Sequence, residues 1–79
     1  MSVFPGDAVV LNTPRTSRAG GQVRSFDEGM VGRVCKVSST GSGLCCVQFA
    51  NQCLKVREDF LSPTTRQAPA CSARCRTGC

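Results

Sequence analysis

Gly29-Met30-Val31-Gly32-Arg33-Val34-Cys35-Lys36-Val37, then Leu44-Cys45-Cys46-Val47-Gln48-Phe49, then Cys53-Leu54-Lys55-Val56: these three runs, within residues 28–61, decide the fold. Together they are rich in Val, Leu and Cys, each is of strand length, and they are separated by turn chemistry. Ser38-Ser39-Thr40-Gly41-Ser42-Gly43 is a flexible turn, and Ala50-Asn51-Gln52 a tight hairpin. In the middle run Cys45, Val47 and Phe49 point one way and Leu44, Cys46 and Gln48 the other. In the last run Leu54 and Val56 face inward and Lys55 and Arg57 outward. Gly32 permits close backbone approach or a bulge, and the differing parity of Val34 and Val37 predicts a bulge and a bend. These runs predict the core of a small closed β-barrel.

Outward from that core, Pro5-Gly6-Asp7 leads into the strand Ala8-Val9-Val10-Leu11, with Val9 and Leu11 on the inner face. Asn12 to Asp27 shows no periodicity and reads as a long loop bearing Arg15, Arg18 and Arg24 and no acid before Asp27, the expected binding surface. Phe26 is expected to plug one end of the barrel. Arg57-Glu58-Asp59-Phe60-Leu61 reads as one helical turn that returns Phe60 and Leu61 to the core. After Ser62-Pro63 no large apolar residue follows, so the barrel is assigned residues 1–63 and a basic, Cys-containing tail residues 64–79.

A chain of 79 residues holds one domain with a small core, and such chains usually lean on a disulfide, a metal or a partner. There is no His, which removes the commonest general base and zinc ligand, and no Trp or Tyr. The clustered carboxylates, Asp27-Glu28 and Glu58-Asp59, read as turn and cap residues. No catalytic residue is assigned, no phosphate-binding or nucleophile motif occurs, and no cofactor is implied. The net charge of +5 comes from ten Lys plus Arg against five acids, and suits an acidic protein surface, nucleic acid or an anionic membrane face. No apolar run approaches a membrane span and the first residues lack a signal-peptide core, so a soluble or peripheral protein is expected.

The seven Cys cannot all pair within one chain. Cys35, Cys45, Cys46 and Cys53 fall in strands, where Cys serves as a small apolar residue, and Cys71, Cys75 and Cys79 fall in the tail. That split argues against a disulfide-stapled secreted fold, which would scatter its cysteines through loops. The tail spacing Cys71-x3-Cys75-x3-Cys79 could offer three thiolates to a metal, although paired ligands usually stand two residues apart. No metal site is assigned. The reading of the tail is a disordered segment whose thiols pair adventitiously or with a partner. Cys75, between two Arg, is the thiol best placed for redox chemistry.

The order strand, long loop, Gly-x-Val strand, hairpin, short turn, last strand resembles an SH3-like barrel: all-β and five-stranded, with a short 3-10 turn before the last strand and an irregular Cys-rich tail. Gly6-Asp7-x-Val9, Phe26-Asp27, Gly29-Met30-x-Gly32-x-Val34, Val47-x-Phe49 and Arg57-x-Asp59 are similar to the variable chain of ferredoxin-thioredoxin reductase. The spacing from Gly32 to Val47-Gln48-Phe49 is closer to the small stromal barrel protein of photosystem I. The likeness covers residues 5–61, lacks the aromatic-rich first loop of that photosystem I protein, and leaves the tail without a counterpart. It implies a non-catalytic accessory subunit of a photosynthetic electron-transfer complex, in the plastid stroma, on the stromal face of the thylakoid or in a cyanobacterial cytoplasm. The partners implied are a larger subunit and an acidic carrier such as ferredoxin, with Arg15, Arg18, Arg24 and Arg33 as partner-binding residues. The Gly29-x-x-Gly32-x-Val34 run also resembles the RNA-binding barrel of the KOW type, which makes nucleic acid the alternative partner. Type II dihydrofolate reductase is similar in outline only: its pore strand carries Val-Gln-Ile-Tyr where this chain has Cys53-Leu54-Lys55-Val56.

Overall fold

A computed structural model of the chain describes residues 3–19, 21–38, 43–50, 52–73 and 75. Seven strands follow one another: β1 (Ala8–Leu11), β2 (Arg15–Ala19), β3 (Gln22–Phe26), β4 (Val31–Val37), β5 (Leu44–Phe49), β6 (Gln52–Arg57) and β7 (Leu61–Pro63). A 3-10 turn, Glu58–Phe60, separates the last two. Five strands form one antiparallel sheet in the order β6-β5-β4-β1-β7, and β2 and β3 form a two-stranded ladder of their own.

The stretch expected as a loop between Asn12 and Asp27 is therefore a hairpin. Its ladder runs from Arg15 opposite Phe26 to Ala19 opposite Gln22, which leaves a two-residue connection. Gly-Gly between two strands is a hairpin turn of this length, and Gly21 has the positive φ of +79° that such turns require. The strands escape detection by periodicity because most of their side chains are exposed on both faces, so polar residues serve throughout.

The five-stranded sheet is open: among the described residues β6 and β7 are each paired on one side only, where a closed barrel was expected. It is nonetheless curled. In a flat sheet four spacings of about 4.8 Å would hold the outer strands about 19 Å apart. The 3-10 turn that joins β6 to β7, at about 2 Å per residue, reaches only about 8 Å from Arg57 to Leu61. The chain can cross only if the two edges bend towards each other.

The concave face carries the core: Val3, Val9, Leu11, Phe26, Val34, Cys45, Val47, Phe49, Leu54, Val56 and Leu61 are buried together, with Met30, Val37 and Phe60 packed against them. The inward residues expected of each strand are there. Phe26 is inside, its ring 5.5 Å from that of Phe49 and tilted 53° to it. The expected bulge lies between Val34 and Lys36, with Cys35 as the extra residue.

Gly32 explains the close packing at the centre. A Cβ there would stand 2.7 Å from Val47 Cγ1 and 2.8 Å from the Phe49 ring, so hydrogen is the only side chain the space admits. Gly32→Ala is expected to cost about 1–3 kcal/mol through overpacking, read as a lowered denaturation midpoint at unchanged slope.

Candidate functional site

Two surfaces stand out, the β2–β3 hairpin and the convex face of β4–β5–β6. On the hairpin, residues opposite one another share a face. Arg15, Ser17, Arg24 and Phe26 lie on one face, with Phe26 buried and Arg24 half-buried; Thr16, Arg18, Val23 and Ser25 lie on the other, all exposed. The three arginines thus do not form one patch. Arg15 and Arg24 are diagonal neighbours, while Arg18 flanks Val23, 61% exposed, on the outer side. The Arg15 guanidinium lies 4.6 Å over the Phe60 ring, which fixes the hairpin base against the 3-10 turn. Among the described residues the one ion pair is Arg57 with Asp59 at 3.5 Å, so the hairpin cations have no carboxylate to neutralise them.

The tail crosses the convex face. Arg33 on β4, Gln48 on β5 and Cys53 on β6 stand opposite one another and form a row across the sheet. The tail follows that row at right angles to the strands. Arg33 donates from Nε to Pro69 O at 3.0 Å and from Nη2 to Ala68 O at 3.2 Å. Ser72 Oγ donates to Gln48 Oε1 at 2.9 Å, and Cys75 is bonded to Cys53. A second disulfide joins the bulge residue Cys35 to Cys71; both pairs have Cα atoms 5.7 Å apart. Ala68 and Cys75 of the tail are buried, as are Cys46 and Gln48 on the convex side of β5.

This corrects the reading of the tail. A segment expected to be disordered is held by two disulfides to the sheet, and Cys71 and Cys75 go to separate sheet strands rather than converging on a metal. Cys79 lies outside the described residues, as do Arg74 and Arg76. The split of cysteines between strands and tail, read as evidence against a disulfide-stapled secreted fold, is how the bridges run: Cys35 and Cys53 from the sheet, Cys71 and Cys75 from the tail. Arg33, expected at a partner interface, also clamps its own chain. Besides its bonds to the tail, it donates from Nη1 to Gly6 O at 2.8 Å.

Between the tail and the turn at Pro5-Gly6 lies a cleft of ≈ 510 Å³, with Arg33, Gln67, Cys35 and Cys71 on its walls. Elsewhere, Cys45 is buried on the concave side. Burial pushes its thiol pKa up, and the charges of Glu58 and Cys46 add to the effect, so it stays protonated and unreactive. No group of His, Cys, Asp or Glu able to hold a metal, and no helix long and apolar enough to cross a membrane, is found among the described residues.

Neither a family model, a curated protein nor a solved structure matches this chain.

Two outcomes test this geometry. Arg33→Gln should destabilise the protein by about 2 kcal/mol in urea titration, since three charge-assisted bonds to carbonyls are lost from a partly exposed site. Cys45 should resist iodoacetamide at about pH 8 in the folded chain and react once denaturant is added.

Proposed function

We propose that the chain is an SH3-like barrel and a non-catalytic accessory subunit of a photosynthetic electron-transfer complex, seated on a larger subunit, with its β2–β3 hairpin docking an acidic carrier such as ferredoxin. The element order supports the fold: a hairpin between the first two strands of the sheet, then consecutive strands, then a 3-10 turn, then a last strand returning beside the first. In this reading the protein works in the plastid stroma, at the stromal face of the thylakoid, or in a cyanobacterial cytoplasm.

The observation that carries the docking role is the uncompensated charge of the hairpin. Arg15, Arg18 and Arg24 are presented on one ladder, with no carboxylate paired to them among the described residues. A cluster of that sign attracts an acidic protein over about a Debye length, ~10 Å at 0.1 M salt, and raises the encounter rate. Because the arginines occupy both hairpin faces, the attraction does not require one fixed approach. Arg33 takes no part, being occupied with its own chain.

The test is the association rate with a plant-type ferredoxin, measured by surface plasmon resonance across ionic strength. The R15Q/R18Q/R24Q variant should associate about tenfold more slowly at low salt and lose most of the salt dependence, with an unchanged circular-dichroism spectrum. An unchanged rate and slope would overturn the docking role. Tighter, salt-sensitive binding to an RNA oligonucleotide than to ferredoxin would replace it with the nucleic-acid reading.

A further inference from the structure

The two disulfides differ in what surrounds them. Cys35 and Cys71 are both half-exposed and stand on the wall of the ≈ 510 Å³ cleft. In the other bridge Cys53 is half-exposed too, but its partner Cys75 is fully buried, at 0% exposure, and neither sulfur borders the cleft. Thiol–disulfide exchange needs a thiolate to reach one sulfur in line with the bond to the other, so access decides which bridge reacts. The cleft also carries a cation. Arg33, two residues from Cys35 on the same strand, has no carboxylate within ion-pair distance among the described residues, and its guanidinium is held in place by Gly6, Ala68 and Pro69 carbonyls. A fixed positive charge favours thiolate over thiol.

We infer that this cleft is a thiol–disulfide exchange site at which a dithiol reductant opens Cys35–Cys71 and leaves Cys53–Cys75 intact. The thiolate of the reductant attacks Cys71 Sγ, forming a mixed disulfide as the bond to Cys35 breaks. Cys35 leaves as a thiolate beside Arg33 and takes up a proton. Its sulfur lies 3.4 Å from Arg33 O, an acceptor ready for the new thiol. The second thiol of the reductant then attacks its own sulfur in the mixed disulfide, which frees Cys71 and closes the disulfide of the reductant. Two electrons and two protons pass from dithiol to bridge.

The consequence is a half-open state. Residues 67–72 lose their covalent tie to β4, while Cys75 keeps the tail pinned to β6. The bulge is released and the tail is held at its β4 end only by the Arg33 hydrogen bonds to Ala68 and Pro69, with the concave core untouched. Nothing in this depends on the docking role of the hairpin, and either can fail alone.

The experiment uses the oxidised full chain and dithiothreitol at neutral pH, with timed quenching by N-ethylmaleimide and peptide mass mapping. Cys35 and Cys71 should label about tenfold faster than Cys53 and Cys75. In parallel, amide hydrogen exchange should quicken in residues 67–72 while β5 keeps its protection. The inference is overturned if both bridges open at the same rate, if Cys53–Cys75 opens first, or if Cys35 and Cys71 label only once β5 has lost protection.

Discussion

Strand β5 is buried on both faces, and much of the rest of the structure follows from that constraint. Cys45, Val47 and Phe49 fill the concave core, and Cys46 and Gln48 are also shielded from water on the convex side. A central strand in a single sheet has only one face turned to the core, so the other needs a second layer. Among the described residues no helix provides one. The tail does, running from Thr64 to Ser72 as an irregular strip. It therefore takes its hold from outside: an arginine that satisfies two of its carbonyls, a serine against Gln48, and two covalent bridges. Burial of Gln48 is tolerated for the same reason, since its amide donates to Ala50 O at 2.8 Å and its oxygen accepts from Ser72.

The hairpin obeys a different rule. It is anchored at its base by Phe26 in the core and by Arg15 on Phe60, and beyond that its two strands are joined by backbone pairing. Its charge is thus free of the packing demands that fix Arg33. Two arginine populations result from one basic composition: one turned inward to carbonyl oxygens, the other turned to solvent without counter-charge. Residue type alone does not separate them. Position relative to the tail does.

Much of the sheet could be read from the chain because alternation and turn residues report burial on one face. The inward sets of β1, β5 and β6, the bulge in β4, the tight β5–β6 connection and the turn before β7 were all legible in that pattern. The hairpin was not, since strands wet on both faces carry no alternation. Its signal was Gly20-Gly21 set between two runs of equal length. The strap was missed for a related reason. Composition after Pro63 lacks the large apolar residues that announce a core, and the anchoring here is by backbone carbonyls, one hydroxyl and sulfur. A hint lay in the outward residues of β5, Cys46 and Gln48, which are less polar than a solvated face would favour.

The crosswise run of the strap over Arg33, Gln48 and Cys53 settles an ambiguity that hydrophobic patterning leaves standing. Slippage of β5 by one residue would turn Phe49 and Val47 outward and is forbidden by the core. A slip of two residues keeps every apolar side chain inside and is opposed there only by local fit, such as the hollow at Gly32. On the far side, that same slip would carry Gln48 out from under Ser72 and break the line on which the three anchors fall. The strap thus acts as a pin through aligned holes: it passes only when neighbouring strands are in step, and once through, it keeps them so.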